Sequence, residues 1–231
     1  MAEQKQQEPE RKILVIGGNG CVGGAVVKGL KAFAKQFNKN LEIIIGGRNK
    51  DKVDVVVDIA SSESITQAFE NEKCKGLTDV VCCAGKGLYG PLNDEKVTRE
   101  AMITAFNSKV FGQMDLVMKS QKYLKDKDNS VTLISGYTAT NAFPLFWGSS
   151  AQNAGLNAFV KSTPLEINNN IRVNIVCPGL LTEAKDKYAS CFYGFKPIDG
   201  SDVANGYIRA IFGGIRGQVL YIDNPDNPSK I

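Results

Sequence analysis

With 231 residues, 43% hydrophobic and 23% charged, the chain is long enough to bury a sizeable core as one domain. Its net charge of +4 comes from 28 Lys and Arg against 24 Asp and Glu without a basic run, which argues against nucleic acid as the main partner. The absence of histidine excludes histidine-based triads, HExxH zinc sites and any imidazole proton switch.

Met1 to Glu10 reads as a solvated tail, so residues 1–11 are expected to be a flexible polar extension of a single domain over 12–231. Lys12–Ile16 is an apolar run that closes on glycines, and the period of Val26, Val27, Leu30, Phe33 and Phe37 predicts a helix over Ala25–Phe37. Further strand-like runs follow at Leu41–Ile45, Val53–Val57, Asp79–Ala84, Val131–Ser135, Ile171–Cys177 and Gln218–Ile222. Between them, helices are predicted at Ser61–Glu70, within Glu95–Tyr123 as one or two pieces, at Ser149–Ile167 with its last turn loosened by Pro164, and at Val203–Phe212. The strand runs are continuous rather than alternating, which suits a parallel sheet covered on both faces. Strand–helix alternation throughout predicts a doubly wound α/β domain of three layers with about seven parallel strands.

The six cysteines form no CxxC pair, and several lie in apolar strand runs, so reduced thiols in a cytoplasmic protein are the simplest reading. No secretory h-region opens the chain, and no run approaches the roughly 18 apolar residues of a spanning helix. Neither membrane nor nucleic acid is expected as a partner.

The most informative segment is Gly17-Gly18-Asn19-Gly20-Cys21-Val22-Gly23-Gly24, between the first strand and the first helix. In the spacing Gly17-x-x-Gly20-x-x-Gly23, one glycine permits the tight turn, one lets backbone approach a pyrophosphate, and one allows close helix–strand packing. The helix N-terminus then presents open N–H groups and the positive end of its dipole to phosphate. Gly17, Asn19, Gly20, Cys21, Val22 and Gly23 are therefore candidate dinucleotide contacts. The second strand ends in Gly46-Gly47-Arg48, with no carboxylate to hold an adenosine ribose. Arg48 suits a 2′-phosphate, which favours NADP(H) over NAD(H); alternatively it is a solvated loop cation.

Three further segments complete an ordered set: Asp58-Ile59, Cys82-Cys83-Ala84-Gly85, and Ile171-Arg172-Val173-Asn174-Ile175-Val176-Cys177-Pro178-Gly179. Together with the glycine turn they resemble the short-chain dehydrogenase/reductase family over Lys12 to Asp223. The resemblance implies a Rossmann-type fold in which Asp58 and Ile59 line the adenine site. It places Cys83, Ala84 and Gly85 under the riboses, and Pro178, Gly179 and Thr182 beside the nicotinamide. It also implies a substrate lid over Leu180–Pro197, where Tyr188, Phe192, Tyr193 and Phe195 suggest an apolar or aromatic wall.

The resemblance breaks at the catalytic positions. The family's Tyr and Lys, four residues apart on one helix, fall on Ser149 and Asn153. Its Ser falls on Gly136, beside Ser135, and its helix Asn falls on Lys109. A short-form branch of the family shares this pattern, with Ser108-Lys109 to Gly112-Gln113, Ile134-Ser135-Gly136, and Asn153 to Phe159. Lys109, Ser135, Ser149 and Asn153 are the candidate catalytic residues, with Lys109 also a cofactor contact through its charge near the ribose. Tyr137, two residues after Ser135, is within reach of the pocket, but with no nearby lysine to activate its phenol it reads more readily as a packing residue with a wet hydroxyl. The literal Tyr123-x-x-x-Lys127 precedes the fifth strand and reads as coincidence.

Two functions remain open at this level. One is an NADP(H)-dependent oxidoreductase that moves hydride to a small carbonyl or from an alcohol through a rearranged site. The other is a catalytically inactive protein of the same fold, acting as a cofactor sensor or as a structural subunit, either a homodimer or part of a larger assembly. A thiol enzyme using Cys21, Cys82 or Cys83 has little support without a base, although a helix N-terminus can depress the Cys21 thiol.

Overall fold

The computed structural model describes residues 8–124, 126, 128–167 and 171–227. Most of the expected tail, residues 1–7, lies outside them, and Arg11 belongs to the first strand rather than to the tail. Seven strands form one parallel sheet: β1 (Arg11–Ile16), β2 (Leu41–Gly47), β3 (Val55–Val56), β4 (Asp79–Cys82), β5 (Ser130–Ile134), β6 (Arg172–Pro178) and β7 (Val219–Ile222). Their order is β3-β2-β1-β4-β5-β6-β7. The helices are α1 (Cys21–Gln36), α2 (Ser62–Glu70), α3 (Arg99–Phe106), α4 (Gly112–Tyr123), α5 (Trp147–Glu166), α6 (Lys185–Tyr188) and α7 (Gly200–Phe212).

The continuous apolar runs become strands buried on both faces. Ile13 and Val15 of β1 join Val26, Leu30, Val203, Tyr207 and Ile211 in a core under α1 and α7. Leu14 and Ile16, the alternate residues, join Ile65, Phe69, Leu116, Val117, Leu156 and Val160 under α2, α4 and α5. Period-2 alternation of side chains thus feeds two cores from one strand, giving the three layers.

Local sequence accounts for the departures from the predicted boundaries. The first helix begins at Cys21 rather than Ala25, because Gly23 and Gly24 continue it out of the turn. The third strand shrinks to two residues; just ahead of it the Asp54 backbone N–H donates to the Ile45 carbonyl at 2.8 Å, while the Asp54 carboxylate accepts the Ile45 N–H at 2.8 Å. Pro164 lies within α5, and the Thr163 hydroxyl donates to the Val160 carbonyl that proline leaves open, at 2.8 Å. The long periodic segment is α3 and α4 joined by a π-turn over Asn107–Phe111. The extra residue of that turn shifts the helical register, so that Lys109 and Val110 are both buried.

The chain leaves β1 for β2 on one side and β4 lies on the other, so the strand order reverses between β1 and β4. In open α/β sheets this is where the loops separate and leave a crevice at the carboxyl ends of the strands. Among the described residues no helix is long and apolar enough to cross a membrane, no disulfide forms, and no cluster suited to a metal ion occurs.

Candidate functional site

The glycine turn fills the mouth of this crevice. Gly17 adopts φ +82°, and a Cβ there would lie 3.1 Å from the Cys83 carbonyl carbon. A Cβ on Gly23 would sit 2.1 Å from the Gly17 oxygen, so only glycine lets α1 start this close to β1. No side chain caps the N-terminus of α1, and its first turn carries no acidic residue. Its N–H groups therefore remain available to an anion.

Beside the turn lies a cleft of about 640 Å³ lined by Gly17, Arg48, Asp58, Ile59, Ala84, Gly85 and Ser108, among others. Arg48 is exposed and makes no ion pair among the described residues. Asp58 is held in place by its own turn, its Oδ1 accepting the Ala60 N–H at 3.0 Å and its N–H donating to Ser64 at 3.0 Å. Gly85, at φ +143°, packs directly on the Lys109 stem, with a Cβ position 3.0 Å from Lys109 Cγ. These features fit a dinucleotide: an uncapped helix N-terminus, a cradle that any Cβ would fill, and a cation at the end of β2.

Toward β5 and β6 lies a smaller cavity of about 290 Å³. Lys109, Ser135, Ser149 and Asn153 all line it, together with Val22, Pro178 and Gly179. Burial pushes the Lys109 ammonium down to about 8, partly offset by the nearby Cys177 and Cys82 thiols. Its Nζ makes no hydrogen bond or ion pair among the described residues. Ser135 Oγ and Asn153 Oδ1 are buried without a partner. Such groups are costly to keep and point to something that binds them.

The residues at the expected catalytic positions are fitted to their surroundings. A Cβ on Gly136 would lie 2.9 Å from Asn153 Nδ2, so the amide occupies the space a serine would need. Asn153 Nδ2 donates to the Thr138 hydroxyl at 2.9 Å. Ser149 donates its hydroxyl proton to the Leu88 carbonyl at 2.7 Å, and its Oγ lies 2.8 Å from where a Gly87 Cβ would be. It therefore cannot also donate to a substrate carbonyl; only its oxygen lone pairs remain. Two glutamines brace these loops. Gln113 bridges Lys109 and Ile134, and Gln152 bridges Leu88, Lys86 and Ala105.

Several expected positions are placed differently. The Asn19 amide donates to the Lys52 carbonyl, tying the turn to the loop after β2. The Cys83 side chain turns into the core against Tyr207, and only its backbone borders the turn. Gly20 and Cys21 line a separate groove between α1 and α7. Thr182 is turned to the Ile198 carbonyl and the Asp199 carboxylate, at 3.1 and 2.9 Å. The Cys21 thiol is pushed up, by burial and then by Glu183, not depressed by the helix. Tyr137 is buried rather than wet: it lines the cavity, and burial and then a bond to Asp223 push its hydroxyl up. Tyr123 stacks on Phe69 and bonds Glu70, away from the cavity, while Lys127 lies outside the described residues. Of the expected wall, Tyr188 and Phe192 line the cavity, Phe195 packs behind them, and Tyr193 is exposed. Sequence reasoning placed Gln113 in the branch motif without a role and missed Thr138 and Gln152. Their only signal was polar residues at inward-facing helix and turn positions.

Residues 24–198 match the family described as enoyl-(acyl carrier protein) reductase. With this match and the geometry above, the chain belongs to the short-chain dehydrogenase/reductase family of oxidoreductases. Among solved structures, the protein lin1944 from Listeria innocua is 31% identical, with a TM-score of 0.81 over 92% of this chain and 99% of its own. A small-chain dehydrogenase in complex with NADPH is 24% identical, with a TM-score of 0.74 over 92% of this chain and 96% of its own. A gluconate 5-dehydrogenase from Burkholderia cenocepacia, in complex with NADP and tartrate, shares the fold at 16% identity, with a TM-score of 0.79 over 94% of this chain and 95% of its own. No curated protein sequence is a significant match.

Proposed function

We propose that the protein is an NADP(H)-dependent oxidoreductase that interconverts a small carbonyl compound and its alcohol through a rearranged polar site. One observation carries this reading: Ser135 and Asn153 bring buried polar atoms without partners to a single cavity at the carboxyl ends of the strands, which the buried Lys109 also lines. When bound, the dinucleotide supplies or accepts the hydride. Arg48 pairs with the 2′-phosphate, and the α1 N-terminus holds the pyrophosphate. Lys109, charged below pH of about 8, donates a proton from Nζ to the oxygen that becomes an alkoxide during reduction. Ser135 donates a hydrogen bond to the same oxygen, and the Asn153 carbonyl orients a hydroxyl or amide N–H of the bound ligands. The cytoplasm is the compartment proposed, and the exposed apolar residues Ile103, Phe111 and Met118 of the α3–α4 region support a homodimer or a larger assembly.

Calorimetric titration with NADPH and NADH tests the cofactor. NADPH is expected to bind at least about tenfold more tightly, and Arg48→Glu to remove that preference. The inactive alternative is favoured by one feature, the commitment of the Ser149 proton to Leu88. Binding of neither dinucleotide would favour the structural-subunit form of that alternative, with the scaffold retained for protein partners, whereas binding without turnover of any carbonyl would favour a sensor or scaffold.

A further inference from the structure

We infer that the cavity accepts a compact, uncharged ketone carried on a single aromatic or alicyclic ring, an inference that rests on the oxidoreductase reading above. The lining is divided. Lys109, Ser135 and Asn153 form a polar end, and Phe146, Tyr188 and Phe192 form an apolar one.

The apolar end is a core of its own, separate from the two that flank the sheet. It is assembled from the loops after β5 and β6, with Tyr89 of the loop after β4 packed against it. Phe146 packs edge-on to Phe192 at 5.2 Å, to Tyr188 at 5.3 Å and to Tyr89 at 5.0 Å. Phe143 stacks behind Phe192 at 4.1 Å. Rings locked edge-to-face in this way form a preset surface rather than a collapsible one. Leu145, at φ +68°, holds the chain in the left-handed region just where it delivers Phe146.

Charge narrows the ligand further. The described lining contains no Asp, Glu or Arg, and Lys109 is its sole cation. In the proposed reaction that cation serves the reacting oxygen. A second charge would lie against the rings without an ion-pair partner in the lining. Polyhydroxy acids are thus disfavoured here, unlike the tartrate held by the gluconate 5-dehydrogenase. Volume sets the size, since about 290 Å³ is at the small end for ligand pockets and is shared with the nicotinamide ring.

The test is calorimetric titration of the protein loaded with NADP⁺, a dead-end complex in which a ketone cannot turn over. The probes are 4-methylacetophenone, its charged counterpart 4-acetylbenzoate, and dihydroxyacetone. The methyl ketone is expected to bind at least about tenfold more tightly than either of the others. Phe192→Ala is expected to weaken it about tenfold with NADP⁺ affinity unchanged, and Phe146→Leu serves if that variant does not fold. Equal or tighter binding of 4-acetylbenzoate or dihydroxyacetone, or no ketone binding at saturating NADP⁺, overturns the inference. If NADP⁺ itself does not bind, the ketones are titrated into the bare protein. Binding of the methyl ketone alone then keeps the cavity assignment while removing the oxidoreductase reading, and no binding removes both.

Discussion

Lys109 is a charge held against its solvation preference. Its drop from 10.5 to about 8 corresponds to about 3 kcal/mol of lost stability whenever the folded protein carries the charge. Below pH 8 both folded and unfolded chains bind the proton, so that cost is present in full. Between about pH 8 and 10.5 the unfolded chain binds it and the folded one does not, so stability rises with pH. Lys109→Met is therefore expected to be about 1–3 kcal/mol more stable at pH 7 and to lose that rise, while losing turnover. Urea unfolding at pH 7 and pH 9.5 checks both, and a variant that is less stable at pH 7 would contradict the burial argument. The Gly136–Asn153 contact makes a second prediction at this scale. Restoring the family's serine by Gly136→Ser places a Cβ 2.9 Å from Asn153 Nδ2 and is expected to cost about 1–3 kcal/mol. Asn153→Ala in the same chain should recover part of that loss, as a double-mutant cycle by denaturation would show.

Helices here act by where they begin and how closely they approach. The α1 N-terminus can face a phosphate only because Gly23 passes the Gly17 carbonyl without a Cβ. Gly23→Ala is expected to cost about 3 kcal/mol and to abolish NADPH binding, read by denaturation and by calorimetry. A normal denaturation midpoint would mean that the turn relaxes at little cost. The α3–α4 segment shows the same logic. A Cβ on Gly112 would lie 2.2 Å from the Ile59 carbonyl, so the helix reaches the loop after β3 just beyond the π-turn that delivers Lys109. Gln113 then ties this helix to Ile134 through both ends of its amide, at 2.9 and 3.0 Å. Two neighbouring residues thus anchor the turn on which the candidate acid sits.

At the level of the whole molecule, the cleft and the cavity draw on loops from both halves of the sheet, so a bound dinucleotide links them. Ligand at about a hundred times its Kd stabilises the native state by about 2.7 kcal/mol. In a chain of this length that corresponds to a rise in Tm of about 5–10 °C with NADPH. Scanning calorimetry checks it, and a rise with NADH but none with NADPH would reverse the reading of Arg48.

The strand runs, the layer number and the glycine turn were legible in the sequence, because each follows from short-range rules. Continuous apolar runs such as Ile13–Ile16 specify strands buried on both faces, and the spacing of Gly17, Gly20 and Gly23 specifies one backbone path. That Ser149 and Asn153 stand where the family's catalytic residues are expected, the exchange proposed here, was a reading available in the sequence, since it needed only alignment along their helix. The consequences of that exchange were not. Whether Asn153 fills the space over Gly136, whether the Ser149 proton is already committed, and how far burial lowers Lys109 depend on groups brought together from different strands and loops. The aromatic end of the cavity is the clearest case. Phe146, Tyr188 and Phe192 show no shared period, and only the convergence of the loops at the carboxyl ends of β5 and β6 makes them one surface. Local periodicity thus determined the scaffold. Tertiary packing decided the site, because a side chain's pKa and free hydrogen-bonding capacity are set by neighbours distant in the chain.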